Sequence, residues 1–330
     1  MLEHGGNLRA AAAQFGRPLH DWVNLSAGLN PRWYPAPSLP DNAWHRLPEN
    51  DPALLHAAQA YYGAPHMLAV AGTQAAIQAL PALRPPSRVV VAAPSYAEHA
   101  HHWARHGHSM RQVAYGELDA ALPECDVLVV CNPNNPTGAR VPPERLLAWA
   151  DHLAARGGWL VVDEAFADMT PQCSVAAHSA RPGLIVLRSI GKFFGLAGVR
   201  AGFVGAEPDL LARLADALGP WTVSGPAQAI CIAALTDRAW QQRARQTLNE
   251  SASRMRALLA THGIASQGCA LFQWWPETHA EEFREHMAQR GVWVRLFSNA
   301  ARGIRLGLPA NEAAWRRLEN ALNQWTGKRS

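Results

Sequence analysis

The sequence predicts an α/β protein in which a mostly parallel sheet is covered by helices and followed by a smaller α+β domain. From about position 68, short β-branched runs alternate with amphipathic stretches, and strand alternating with helix is the pattern that builds a parallel sheet. After Gly219-Pro220 the pattern changes to long helices and then to a shorter mixed segment. At 330 residues and 48% hydrophobic content, the chain can bury one large core and one small one.

Taken in order, residues 1–40 are rich in Gly, Asn and Pro and are expected to run as an extended arm. The large domain is expected over 41–219. There a short strand leads into Ala71-Gly72-Thr73-Gln74-Ala75, a turn opening a helix that Thr73 can cap. Val89 to Ala93, Val127 to Cys131, Trp159 to Val162, Leu184 to Arg188 and Ala201 to Val204 read as strands. Between them Pro142 to Arg156 reads as a helix, opened by two prolines and a glutamate and closed by Gly157-Gly158. The small domain is expected over 220–330, with helices at Asp237 to His262 and Asn311 to Trp325.

Composition narrows the class. Met1 to Asn7 carry no apolar signal core and no run reaches bilayer length, so a cytoplasmic, non-membrane protein is expected. Cys125, Cys131, Cys173, Cys231 and Cys269 lie scattered in apolar stretches without C-x-x-C pairing, which suits reduced, buried thiols and neither disulfides nor structural zinc. The net charge of +4 is spread along the chain, favouring a small anionic substrate over nucleic acid. His99, His101, His102, His106 and His108 fall on the helix expected after Tyr96. Without an acidic or thiol ligand in a zinc pattern they are expected to face solvent, and no metal is assigned. The 13 tryptophans are expected in the core or at a subunit interface.

The chemistry-bearing residues come in four pieces. Ser189-Ile-Gly-Lys192 follows an apolar strand, with Arg200 eight residues later in Gly195-Leu-Ala-Gly198-Val-Arg200-Ala-Gly202. A strand end puts such a lysine in the crevice where α/β sheets bind ligands, with a hydroxyl and a guanidinium near it for an anion. By itself S-x-x-K reads as a surface loop. It gains meaning from Asn132-Pro-Asn-Asn135-Pro-Thr-Gly138 and Asp163-Glu-Ala-Phe166, each closing a strand, and from the Gly72-Thr73-Gln74 turn, whose backbone N–H groups suit a phosphate.

In this order the pieces resemble the aspartate-aminotransferase superfamily, the fold-type-I enzymes of pyridoxal 5′-phosphate (PLP), across nearly the whole chain. The resemblance implies that Lys192 carries the cofactor as a Schiff base and later moves protons. It implies that Asp163 pairs with the pyridinium nitrogen, Asn135 bonds the ring oxygen, and Tyr96 stacks on the ring. Gly72, Thr73, Gln74, Ser189 and Arg200 would hold the phosphate. A homodimer with sites at its two-fold interface is also implied.

Within the superfamily, His4-Gly-Gly-Asn7 with Asn24-Leu-Ser-Ala-Gly-Leu-Asn30-Pro31 is similar to the opening of the L-threonine-O-3-phosphate decarboxylases of cobalamin synthesis. The histidinol-phosphate aminotransferases are the sister reading, and a PLP-fold binding module without catalysis is a third. The decarboxylase resemblance gives Arg305 the substrate carboxylate, Arg295 its phosphate, and His4 and Asn30 supporting contacts. Two guanidinium groups suit a doubly anionic, phosphorylated amino acid. Three departures stand out: Phe166 and Leu47 replace tyrosines common in the family, and the Arg295–Arg305 spacing is shorter than its pattern.

Overall fold

The computed structural model describes residues 5–298 and 301–326; His4, expected near the substrate, lies outside the described residues. By its contacts the chain divides into a larger unit, Trp33–Asn135 with Ala139–Gln242, and a smaller one, Met1–Arg32 with Pro136–Gly138 and Arg243–Ser330.

The larger unit is built on a seven-stranded sheet. Its strands in chain order are β1 (Met67–Val70), β2 (Arg88–Ala93), β3 (Ser109–Ala114), β4 (Val127–Cys131), β5 (Trp159–Asp163), β6 (Leu184–Ser189) and β7 (Gly202–Gly205). Across the sheet they lie β1-β7-β6-β5-β4-β2-β3. Only β7 runs antiparallel to its neighbours; the other pairings are parallel. Every residue of β4, β5, β6 and β7 is buried, as a sheet covered on both faces requires, and valine-rich runs are the sequence mark of such strands. Edge strand β3, mostly exposed and reading SMRQVA, carries no such run and therefore no strong strand signal.

Helices supply the cover. Pro143–Ala154 begins with proline, carries Glu144 in its first turn and buries Leu146, Trp149, Ala150 and Leu153, the i, i+3, i+4, i+7 stripe of an amphipathic helix. Gly225–Thr236 is apolar on nearly all sides, and such a helix must be covered all round. Gln228 ties it to the preceding chain, donating to Glu49 O at 2.9 Å and accepting from Asp51 N at 3.0 Å. This helix consequently belongs to the larger unit, and the division falls within the helix Arg238–Thr261 rather than at the expected residue 219.

The smaller unit holds a four-stranded antiparallel sheet of β8 (Gln267–Cys269), β9 (Phe272–Trp275), β10 (Arg295–Phe297) and β11 (Gly303–Gly307), in the order β10-β11-β9-β8. Helices Ala280–Gln289 and Glu312–Asn323 belong to the same unit. Of the stretch expected as an extended arm, residues 1–40, the described residues 5–32 belong to the smaller unit. Leu8–Gln14, four of whose residues are alanine, forms a helix capped by Asn7, and Val23–Asn24 pairs in parallel with Val292–Trp293. Phe15, Trp22 and Trp293 then meet edge to face at 6.0–6.5 Å, burying apolar area that glycine and asparagine counts do not reveal. Among the described residues no helix is long and apolar enough to cross a membrane.

Candidate active site

Strands β4, β5 and β6 end side by side, and their last residues open onto a cavity of about 150 Å³ in the larger unit. Gly72, Thr73, Gln74 and Tyr96 line it together with Asn135, Asp163, Ser189, Lys192 and Arg200. The four sequence pieces, up to about 130 residues apart, thus converge where strand ends form a ligand crevice.

At one end the cavity is built for an anion. Gly72 has φ +77°, and a Cβ there would lie 2.7 Å from Arg200 Nη2. A Cβ on Gly202 would lie 2.8 Å from Thr73 N. Glycine at both positions therefore leaves a cradle of backbone N–H, guanidinium and the Ser189 hydroxyl, the donors that phosphate requires. Gly72, not Thr73, occupies the cap position of helix Thr73–Ala79, with no side-chain cap; the threonine begins the helix.

Asp163, which lines the same cavity, is 6% exposed. Its Oδ1 accepts from Ala165 N at 3.0 Å and its Oδ2 lies 2.9 Å from His99 Nε2. Burial alone would push His99 down, but its bonds to Asp163 and Cys131 outweigh this and raise it to about 10. His99 is accordingly an imidazolium at neutral pH, a positive charge behind the carboxylate. Lys192 Nζ sits 5.5 Å from the centre of the Phe166 ring. Asn135 is carried on a loop held by Asn132, which donates to Val141 O at 3.1 Å and accepts from Val141 N at 2.9 Å. An amine, a buried carboxylate, a flat aromatic wall and an anion cradle match the functional groups of pyridoxal phosphate.

In the smaller unit Arg295 and Arg305 are direct partners across β10 and β11. Their short spacing in sequence is thus that of a hairpin, which brings two like charges to one side of the sheet. Arg305 donates to Ser26 O at 2.8 Å and lies over the Phe272 ring. Burial, and then Arg295, push its guanidinium down to about 10, a tension that an anion relieves. Gly6 N donates to Ser26 Oγ at 3.0 Å, and a Cβ on Gly5 would come within 3.6 Å of Arg295 Cδ, so the start of the chain runs beside these arginines. Asn30 is buried, its Oδ1 accepting from Arg32 N at 2.9 Å.

The family model of class I and II aminotransferases matches residues 27–312. The chain belongs to that family. It is 52% identical to threonine-phosphate decarboxylase of Pseudomonas aeruginosa, covering 98% of this chain and 97% of the relative. A second threonine-phosphate decarboxylase, from Sinorhizobium sp, is 42% identical over 97% of both chains. Among solved structures, the histidinol-phosphate aminotransferase of Sinorhizobium meliloti, in complex with pyridoxal-5′-phosphate, superposes with a TM-score of 0.77. It is 22% identical and covers 97% of this chain and 94% of its own, a likeness of fold.

The histidines correct an expectation. His101 and His106 are exposed, but His99, His102 and His108 are buried. His102 bonds Glu98 at 3.0 Å, and His108 bonds Pro81 O at 2.9 Å and accepts from Ser87 N at 3.1 Å. The acid and thiol beside His99 come from elsewhere in the chain: ligand-type atoms of His99, Cys131 and Asp163 lie within 4.8 Å of one another. Sequence reasoning missed His99 as a partner of Asp163; its place three residues after Tyr96, one helical turn on, was the available signal. Four cysteines are buried as expected, whereas Cys173 is half-buried.

Proposed function

We propose that this protein is a PLP-dependent lyase that decarboxylates L-threonine O-3-phosphate to (R)-1-amino-2-propanol O-2-phosphate, supplying the aminopropanol linker of cobalamin. The observation that carries the reading is the likeness over nearly the whole chain to two threonine-phosphate decarboxylases. The convergence of Lys192, Asp163, Tyr96, Asn135 and the phosphate cradle on one cavity supports it.

In this reading Lys192 anchors the cofactor, Asp163 keeps its ring nitrogen protonated, and Tyr96 and Asn135 hold the ring. Arg200, Ser189 and the Gly72-Thr73-Gln74 turn take its phosphate. The bound cofactor supplies an electron sink for whichever Cα bond stands perpendicular to its ring. Selecting that bond falls to the protein. A transaminase must present Cα–H; a decarboxylase must turn the carboxylate out of the ring plane, and a second anionic anchor on the substrate imposes that rotation. Arg295 is assigned the substrate phosphate and Arg305 its carboxylate, with His4 and Asn30 assisting. As the Cα–carboxylate bond breaks, carbon dioxide leaves without its bonding pair, and the Lys192 ammonium would give one proton to Cα and recover one from water, so the reaction takes up a single proton and no co-substrate is consumed.

The same reading makes the protein a cytoplasmic homodimer. Trp33, Trp44, Leu47 and Trp221 stand exposed on the larger unit, apolar area of the kind a second subunit covers.

The deciding experiment incubates purified protein with carboxyl-labelled phosphothreonine. Release of labelled carbon dioxide and formation of aminopropanol phosphate without a keto acid are expected. Product formation that requires a keto acid and retains the label would replace this reading with an aminotransferase of a phosphorylated substrate such as histidinol phosphate.

A further inference from the structure

Helix Ala97–Arg105 buries an acid that the assigned chemistry does not use. Glu98 is 7% exposed, and a carboxylate is costly to bury unless its oxygens are bonded. Its Oε2 accepts from Gln74 Nε2 at 2.6 Å and lies 3.0 Å from Nε2 of His102, one turn along the helix. Gln74 is a cavity residue, yet its side chain is used inside the protein. With its NH₂ turned to Glu98, its Oε1 faces Tyr96 and accepts from the phenol hydroxyl at 3.1 Å.

The direction of these bonds follows from chemistry. An ionised carboxylate only accepts, a carboxamide both donates and accepts, and a phenol can do either. Glu98 therefore decides which way the Gln74 amide points, and Gln74 decides where the Tyr96 hydrogen goes. Tyr96 retains that hydrogen because burial, and then Glu98 and Asp163, push its phenol up to about 12. The Tyr96 ring also meets His99 edge on, at 6.1 Å, so it is held at its hydroxyl and along its edge.

We propose that Glu98 is a positioning residue of the cofactor cavity, acting through the Gln74 carboxamide to fix the Tyr96 ring in the orientation that stacks on the cofactor. The inference rests on the reading of this cavity as a pyridoxal-phosphate site. It also separates two roles within the turn at Gly72: the Gln74 backbone is free to serve the phosphate, while its side chain serves Tyr96.

The test is equilibrium binding of pyridoxal phosphate by the full chain, followed by its visible absorbance. It compares wild type with Glu98→Leu, Gln74→Met, Tyr96→Phe and the double variants Glu98→Leu/Tyr96→Phe and Gln74→Met/Tyr96→Phe, each checked for folding by circular dichroism. Glu98→Leu and Gln74→Met should each weaken binding about tenfold, the scale of one lost buried hydrogen bond. On the Tyr96→Phe background, where no hydroxyl remains to be aimed, both losses should vanish. Losses of the same size on both backgrounds would overturn the inference, since a merely structural role acts whether or not the hydroxyl is present. Should Glu98→Leu fail to fold, the Gln74→Met cycle decides by the same criterion. Wild type that takes up no pyridoxal phosphate would instead remove the cofactor reading, and the inference with it.

Discussion

At the scale of single residues, the site depends on charges placed where water cannot screen them. The His99–Asp163 bond keeps the imidazole protonated far above its ordinary range, to about 10. A folded-state value raised above 6.5 means the pair stabilises the fold fully below pH 6.5 and loses that contribution as pH rises through about 10. The urea-unfolding midpoint of wild type should therefore exceed that of His99→Gln most at pH 6 and converge towards it near pH 10; an advantage that does not change over this window would show that His99 is not charged. Phe166 is a second instance. Its ring lies 5.5 Å from Lys192 Nζ, an apolar surface beside the amine that offers no hydrogen-bond donor.

At the scale of elements, strand alternation sorts side chains between two uses. Asp163 and Ser189 line the cavity, while their chain neighbours Glu164 and Arg188 form a buried ion pair at 2.6 Å. Arg188 also reaches Asp168 at 3.2 Å, and its guanidinium lies over Tyr62. Successive residues at a strand end point to opposite sides, so the pair joins β5 and β6 by their other face. The loop after β4 is held differently, by the Asn132 side chain acting as a piece of backbone. Asn132→Leu would leave the Val141 N–H and C=O without those bonds, and two buried orphaned groups cost about 2–6 kcal/mol. Urea unfolding checks the stability loss, and cofactor affinity should fall with it because Asn135 rides on the same loop; a loss under about 0.5 kcal/mol would show that the loop is held by other contacts.

At the scale of the whole molecule, each unit assembles residues far apart in sequence. The larger brings together residues from 72 to 200 around its cavity, and the smaller sets Arg295 beside Arg305 with residues 5–26 close by. Leu47 is 66% exposed and Trp44 is 75% exposed. Large apolar side chains so uncovered favour association. Sedimentation of wild type should give the mass of a dimer, and the double change Trp44→Glu/Leu47→Glu should shift it towards monomer. A wild-type monomer with full activity would contradict the dimer reading.

Much of this was legible without coordinates because some signals are local. Valine-rich runs read as covered strands, Pro-Pro-Glu and Gly-Gly read as the opening and closing of a helix, and the residues around Lys192, Asp163, Asn135 and Gly72 have short, recognisable spacings. Those features determined the sheet and the cavity residues. Tertiary structure alone decided the burial of His99 and Glu98, because their partners Asp163 and Gln74 lie on other elements. It alone folded residues 5–32 into the smaller unit, since the aromatic contact that holds them joins Trp22 to Trp293 across the chain. It also turned the short Arg295–Arg305 spacing into a cross-strand pair. A sequence records which groups are present and how far apart they lie along the chain; which charge faces which, and how far from water, depends on packing between distant segments.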